Sequence, residues 1–244
     1  MAPDPPSVPI QDASTVMLLR PKEGGREGFE VYLTRRRADL VFVGGAYVFP
    51  GGRVDAEDEA AEALARCEEL EPKRAAALLN MPPEAGSRAA AFWVAAVREL
   101  FEEAGVLLAY RNGNLVDLRD PVSASRFAEW RRRLNASEAA VGSMLAEADL
   151  RLATDRLHYV SHWITPEGPP RRFSTRFFLA VLPEGQAADH HPLEADESVW
   201  ISPRAALKEW AENRLLMIPP TVMSLRRLAE FEQLDEVLIA FPRP

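Results

Sequence analysis

The segment Arg98–Val106, with the sequence RELFEEAGV, constrains this chain more than any other feature. Apolar residues recur at helical spacing from position 88 to about 103, which predicts an amphipathic helix. Gly105 then stands where a left-handed residue commonly ends a helix. We therefore expect the helix to stop directly after a pair of glutamates.

Three glutamates crowd the end of this predicted helix. Glu99, Glu102 and Glu103 stand at i, i+3 and i+4, so a helix places their carboxylates on one side. These charges repel one another, and the C-terminal end of a helix dipole disfavours anions. A divalent cation would relieve both penalties, and hard oxygen ligands suit Mg²⁺ or Mn²⁺. Arg98 can pair with Glu102 at i+4, whereas the alternative interpretation is a solvated acidic helix end.

The composition is that of an ordinary globular protein with an acidic surface. Of 244 residues, 47% are hydrophobic and 27% charged, and the net charge is −8. A negative surface repels nucleic-acid backbones and anionic lipids, so we expect neither nucleic acid nor membrane as a partner. The single cysteine, Cys67, excludes an internal disulfide and favours a reducing compartment. Because no apolar run of membrane length and no signal peptide is apparent, we expect the chain in the cytoplasm.

The order of strand and helix signals predicts one α/β domain over residues 13–244, after a disordered proline-rich tail at 1–12. Apolar, β-branched runs bounded by turn residues predict strands at 14–20, 29–33, 157–165 and 174–182, the first two forming a hairpin. Helical patterns cover 57–80, most of 111–152, 203–213 and 219–233, with a helical insertion at about 59–88. The RRR run at 131–133 is expected to be a solvated face.

Together with FPGG at 49–52, the segment RELFEEAGV resembles the Nudix box, in which a glycine and an acid precede the arginine and the glutamates. The acid position after Gly52 falls on Asp58, and residues 59–97 separate it from Arg98. This interrupted box is similar to that of one branch of the Nudix superfamily, the animal peroxisomal coenzyme A and acyl-CoA diphosphatases. Further segments resemble the same branch in their order across the chain, among them STVMLL, FEVYLTRR, HWITPEG, RRFSTRFFL and WISP.

The resemblance implies a fold, a cofactor and a catalytic centre. The implied fold is an α/β/α sandwich of the Nudix type, with a mixed β-sheet and a helical insertion within the box. The implied cofactor is Mg²⁺ or Mn²⁺, with Glu102 and Glu103 as metal ligands. Glu99 is implied to support them or to bind a second ion. Arg98 is implied to orient the cluster, and the carbonyl of Gly51 to be a further ligand.

A later loop is implied to supply another glutamate as base or ligand. In the branch this residue stands six positions before the tryptophan of the last strand, which is Glu194 here, and Glu197 is the alternative. Basic side chains are needed to receive an anionic substrate. Arg36, Arg171 and Arg172 are the candidates, and solvated strand ends are their alternative interpretation. The four histidines lack the spacing of a shared metal site and are expected to be core or loop residues.

The implied reaction is metal-dependent hydrolysis of a diphosphate linkage in a nucleoside diphosphate derivative. The preferred substrate is coenzyme A or an acyl-CoA, giving adenosine 3′,5′-bisphosphate and (acyl-)phosphopantetheine. The alternatives are ADP-ribose, NADH or nucleotide sugars and, in another class, a nucleotide-binding sensor without catalysis. Substrate identity is less constrained than reaction type, because Val43 stands where related coenzyme A pyrophosphatases have a histidine. The sequence leaves the oligomeric state open, including a homodimer.

Overall fold

A mixed β-sheet forms the centre of the fold. Strand β1 (Ile10–Pro21) lies in its middle, parallel to β9 (Arg172–Val181) and antiparallel to β2 (Phe29–Arg36). The predicted hairpin between the first two strands is confirmed by the pairing of Leu19 with Val31. The computed structural model describes residues 8–22, 24, 27–39 and 43–244.

The remaining strands complete this sheet and form a smaller one. The edge strands are β10 (Ala195–Ile201) beside β2 and β8 (His158–Ile164) beside β9. Two short strands, β3 (Tyr47–Val48) and β4 (Gly51–Arg53), pair with β2 and β1. A separate antiparallel sheet consists of β5 (Ala109–Arg111), β6 (Asn114–Leu115) and β7 (Arg151–Leu152).

Helices cover both faces of the large sheet. One layer consists of α1 (Ala61–Leu64), α2 (Pro72–Leu78), α3 (Gly86–Ala104), α4 (Pro121–Asn135) and α5 (Val141–Glu147). The other consists of α6 (Pro203–Ala211), α7 (Pro219–Leu228) and α8 (Leu234–Ala240). Within the part of the chain that is described, none of these helices is both long and apolar enough to cross a bilayer.

The alternation of side chains along β1 explains the two layers. Val16 and Leu18 belong to the core beneath α3, whereas Met17 and Leu19 belong to the core beneath α7. All four side chains are completely buried, as expected for a central strand covered on both faces. The predicted α/β/α sandwich with a mixed sheet is therefore confirmed.

Several element boundaries differ from the sequence pattern. The helical prediction for 57–80 is wrong between α1 and α2, because Cys67 forms a bridge to Leu152 and Glu68 donates its N–H to the carbonyl of Leu152. The helical prediction for 111–152 overlooked β6 and β7. The prediction for 219–233 ran past the end of α7 and missed α8. Strand β1 includes residues 10–12 of the predicted tail, and residues 1–7 lie outside the described residues.

Helix α3 carries the glutamates and is buried along most of its length. Its many alanines favour the helix intrinsically and allow close packing against the sheet and the neighbouring helices. It ends at Gly105, which has a left-handed φ of 69° and donates its N–H to the carbonyl of Phe101 at 2.9 Å. The predicted helix end is thus confirmed, and it places Glu102 and Glu103 in the last turn of α3.

Candidate active site

The two halves of the interrupted sequence motif lie next to each other in the structure. Asp58 lies in a short 3-10 turn (Ala56–Glu59), with a side chain that is 0% exposed. Its two oxygens accept hydrogen bonds from Nε and Nη2 of Arg98, both at 2.8 Å. Nη2 also donates to the carbonyl of Arg53 at 2.7 Å. The chain therefore leaves the site after Asp58, continues through α1 and α2, and returns to the site at Arg98 of α3.

Arg98 connects Asp58 to two of the three glutamates. Its Nη1 donates to Oε1 of Glu99 at 2.9 Å and to Oε2 of Glu102 at 3.1 Å, so the i, i+4 pair expected from the sequence is present. Burial disfavours the charged guanidinium, but the hydrogen bonds to Asp58 and the surrounding carboxylates outweigh burial and raise the pKa of Arg98. Arg98 thus remains charged and orients the acid cluster.

The glycines of FPGG allow backbone to lie against this cluster. The N–H of Gly51 donates to Oε2 of Glu103 at 3.0 Å. A Cβ at Gly52 would overlap the Glu99 carboxylate, and a Cβ at Gly51 would overlap the carbonyl of Ser14. Only residues without a side chain fit both contacts. Strand β4 therefore lies directly beside the glutamates, and the carbonyl of Gly51 as a metal ligand stays a prediction.

Burial raises the pKa of all three glutamates. For Glu99, burial is the largest cause, opposed by Arg98 and reinforced by Glu102. For Glu103, burial and the charge of Glu99 raise the pKa, and the Gly51 hydrogen bond lowers it. Burial likewise raises the pKa of Glu102. Because the single guanidinium of Arg98 is shared with Asp58, the cluster has an excess of negative charge, which favours a bound cation.

The donor set fits a hard divalent cation. Each glutamate uses one carboxylate oxygen in the bonds above, and within the described residues the second oxygens (Glu99 Oε2, Glu102 Oε1, Glu103 Oε1) have no hydrogen-bond partner. Carboxylate oxygens of this kind are the ligands that Mg²⁺ and Mn²⁺ prefer. As the side chains stand, no three acidic, histidine or cysteine side chains of the described residues converge closely enough to enclose one ion. Binding would therefore require the glutamate side chains to turn towards the ion.

The acid cluster lies on a cleft of about 1580 Å³, and the loop before β10 brings Glu194 to the same cleft. Oε2 of Glu194 lies 4.0 Å from Nη2 of Arg36. Glu197 instead lies on β10, where it pairs with Arg35 at 3.1 Å, and is not among the described residues that line the cleft. The structure thus brings Glu194, rather than Glu197, together with the glutamates of α3.

All three predicted arginines line this cleft. Arg36 ends β2, and its Nε is buried without a hydrogen-bond partner among the described residues. Nε of Arg172 donates to the carbonyl of Thr165 at 3.1 Å, which holds this side chain against the β8–β9 connection. Arg171 is exposed beside it. The cleft therefore combines carboxylates that can hold a cation with guanidinium groups that can receive an anion.

The histidines take no part in the cleft lining formed by the described residues. Nδ1 of His158 lies 2.9 Å from the carbonyl of Phe241. Nε2 of His162 lies 2.8 Å from Oγ of Ser174. His158 is therefore a core residue of β8, as expected, whereas His162 is exposed on the same strand, and His190 and His191 lie in the loop before β10.

Sequence reasoning missed Arg131. The expectation of a solvated RRR face holds for Arg132, which is exposed, but not for Arg131, which donates to the main-chain carbonyls of Glu102 and Glu103. The available signal was helical phase, because Arg131 stands four residues after Phe127 on the buried side of α4. The helical phase of Arg131, and not its place in a run of three arginines, determines which groups surround it.

The sequence of this chain is similar to those of several known proteins. The family model described as the NUDT19 Nudix domain matches residues 10–228. Acyl-coenzyme A diphosphatase NUDT19 of Gallus gallus is 28% identical over 93% of this chain and 70% of its own length. The Homo sapiens protein of the same description is 30% identical over 86% of this chain and 63% of its own length. The chain thus spans about two thirds of these relatives.

A solved structure supports the same assignment. The crystal structure of a NUDIX hydrolase from Alicyclobacillus acidocaldarius superimposes with a TM-score of 0.74 at 25% identity, covering 94% of this chain and 96% of that one. The resemblance noted in the motifs is therefore confirmed over nearly the whole described chain. On the match of residues 10–228 to the NUDT19 Nudix domain model, this chain belongs to the Nudix hydrolase family.

Proposed function

We propose that the protein is a Mg²⁺- or Mn²⁺-dependent diphosphatase that cleaves coenzyme A or acyl-CoA into adenosine 3′,5′-bisphosphate and (acyl-)phosphopantetheine. The observation that carries this proposal is the meeting, in one cleft, of the α3 glutamates, Glu194 and three arginines. The names of the NUDT19 relatives, acyl-coenzyme A diphosphatases, support the choice of substrate.

Each acidic residue has a role in this proposal. Glu102 and Glu103 hold the cation, and Glu99 supports them or binds a second ion. When bound, the cation neutralises charge that develops on the phosphoryl oxygens and lowers the pKa of the attacking water. Arg98 keeps the glutamates in place through its bonds to Asp58. Glu194, on the facing loop, accepts a proton from the attacking water.

The arginines receive the phosphates of the substrate. A protein with a net charge of −8 attracts an anionic substrate only through local cationic groups. Arg36 is suited to this role because its buried Nε has no hydrogen-bond partner among the described residues. Arg171 and Arg172 lie on the same cleft and are the candidates for the 3′-phosphate of coenzyme A.

The size of the cleft agrees with a long substrate. Pockets for small ligands usually measure about 300–1,000 Å³, and this cleft is larger, at about 1580 Å³. Its walls include apolar side chains such as Trp163, Phe173 and Phe177. Such walls suit a substrate with an uncharged portion in addition to its diphosphate.

The alternative substrates are ADP-ribose, NADH and nucleotide sugars, which contain the same linkage. A sensor that binds a nucleotide without cleaving it is a different class of function. The complete set of Glu99, Glu102 and Glu103 argues against a sensor, since binding alone does not require three crowded carboxylates. The single cysteine favours action in the cytoplasm, and the acidic composition favours a small molecule over a nucleic acid as substrate. Sedimentation would distinguish a monomer from a homodimer.

A substrate panel tests the proposal. Coenzyme A, acyl-CoA, dephospho-coenzyme A, ADP-ribose, NADH and a nucleotide sugar are incubated with the protein, with and without Mg²⁺, and products are identified by mass. We expect the highest kcat/KM for coenzyme A or acyl-CoA and no turnover without the metal. Equal rates on ADP-ribose and coenzyme A would remove the coenzyme A assignment, and no turnover of any compound would favour the sensor.

Arginine variants locate the 3′-phosphate contact. Arg36→Ala, Arg171→Ala and Arg172→Ala are each assayed with coenzyme A and with dephospho-coenzyme A. Loss of one charge-assisted hydrogen bond should cost coenzyme A about 1.5–3 kcal/mol in kcat/KM and leave the dephospho form nearly unchanged. If no variant separates the two substrates, these arginines do not bind the 3′-phosphate.

A further inference from the structure

Groups outside α3 bind the carbonyls at its C-terminal end. Arg131 of α4 donates from Nε to the carbonyl of Glu102 and from Nη2 to the carbonyl of Glu103, each at 2.9 Å. Nδ2 of Asn135, one turn further along α4, donates to the carbonyl of Glu102 at 3.2 Å. The main chain of two cation-binding candidates is thus bound by side chains of a neighbouring helix.

These contacts place a positive charge where the end of α3 concentrates negative charge. The last carbonyls of a helix lack partners within the helix and carry partial negative charge. In α3 the same turn also carries the carboxylates of Glu102 and Glu103, so a cation is favoured there more than at an ordinary helix end. Gly105 leaves space for the guanidinium, since a Cβ at that position would lie 2.9 Å from Nη1 of Arg131.

Arg131 also reaches the loop that carries Glu194. Its Nη2 donates to the carbonyl of Asp189 at 2.8 Å. The N–H groups of Asp189 and His191 donate to the carbonyls of Ala104 and Glu103, both at 2.9 Å. The N–H of Glu194 donates in turn to the carbonyl of His191 at 3.0 Å. One guanidinium therefore joins the end of α3 to Asp189, in the loop between β9 and β10 that carries Glu194.

We propose that Arg131 is a positioning residue that sets the placement of Glu194 relative to the glutamates of α3. Its nitrogens bind main-chain carbonyls, and it is not among the described residues that line the cleft, so it acts through other residues. This inference rests on the proposed function, because it assumes that Glu194 and the glutamates of α3 take part in one reaction. Because small displacements of catalytic groups can cost about 10²-fold in rate, loss of Arg131 should be visible in kcat.

The test compares Arg131→Met and Arg131→Lys with the control Arg132→Met. Arg132 lies on the same helix but is exposed and bonded to Glu129 and Glu138, away from α3. Steady-state kinetics with coenzyme A give kcat and KM, and Mn²⁺ binding to the substrate-free protein is followed by electron paramagnetic resonance. Circular dichroism identifies the folded variants, and Arg131→Lys carries the test if Arg131→Met does not fold.

We expect Arg131→Met to lower kcat about 10- to 100-fold with little change in KM and to weaken Mn²⁺ binding. Arg131→Lys should recover part of the loss, and Arg132→Met should behave as wild type. In the Glu194→Gln background, Arg131→Met should cost much less than in the wild type, because coupled residues are not additive.

A lower melting temperature for Arg131→Met with unchanged kcat and Mn²⁺ binding would overturn the proposal, as would a fully additive loss in the double variant. If wild type cleaves no diphosphate at all, the proposed function fails separately. Mn²⁺ binding then still decides whether Arg131 positions the glutamates of α3, and unchanged binding in a folded Arg131→Met would refute it.

Discussion

Replacing Asp58 by asparagine should destabilise the protein strongly, although Asp58 lies in a short turn at the start of an insertion. Its side chain is 0% exposed and that of Arg98 is 8% exposed, with two hydrogen bonds of 2.8 Å between them. Removing one partner of a buried ion pair costs about 3–5 kcal/mol when the remaining charge is left uncompensated. Arg98 keeps Glu99 and Glu102 as partners at 2.9 and 3.1 Å, which places the loss at the lower end of this range. Asparagine can still accept one bond, so we expect about 3 kcal/mol.

The expected loss is measurable by urea and thermal unfolding of the metal-free protein. For a chain of this size each kcal/mol lowers the melting temperature by about 2–4 °C, so Asp58→Asn should unfold about 6–12 °C earlier. The matched control is Asp196→Asn, whose partner Arg35 is nearly as close, at 3.0 Å, but whose side chain is 44% exposed. That change should cost less than about 1 kcal/mol. Equal losses for the two variants would refute the reasoning that burial of the Asp58 pair holds the insertion in place.

Three further predictions concern the acids of the cleft. Glu102→Gln and Glu103→Gln should each lower kcat about 10²-fold or more with an unchanged circular dichroism spectrum; full activity in either variant, even with EDTA, would contradict the metal mechanism. Glu194→Gln should lower kcat more than it raises KM while Glu197→Gln behaves as wild type, and the reverse would identify Glu197 as the loop acid. Because burial raises the pKa of Glu103 above 4.5, its contribution to metal-free stability is present below that pH and is lost as pH rises through the raised pKa. The stability advantage of Glu103→Gln should therefore grow from about pH 5 to pH 8, and a pH-independent difference would contradict this electrostatic account.

The site could be predicted from sequence where local spacing determines it. Periodicity and Gly105 were sufficient for α3 and its end, and the i, i+4 spacing was sufficient for the contact between Arg98 and Glu102. The glycines of FPGG were recognised as part of the motif, but spacing alone did not reveal that the Glu99 carboxylate lies against Gly52.

Contacts set by tertiary packing were beyond such reasoning. The bonds between Asp58 and Arg98 close a separation of 40 positions, which no local period specifies. Arg131 and its neighbour Arg132 differ in which of them lies on the side of α4 that faces α3. That side is set by the packing of Phe127 and Trp130 in the core. The helix predicted through Cys67 is broken by pairing with Leu152, which lies far away in the chain.

Mn²⁺ binding to the substrate-free protein tests most directly whether the α3 glutamates form a metal site. Electron paramagnetic resonance titration is performed on wild type, on the double variant Glu102→Gln/Glu103→Gln and on the control Glu197→Gln. We predict that wild type and the control bind Mn²⁺ alike and that the double variant loses at least about tenfold in affinity, since two charged oxygen ligands are removed. Equal binding by wild type and the double variant, or no binding by wild type, would contradict the assignment of this cluster as the metal centre.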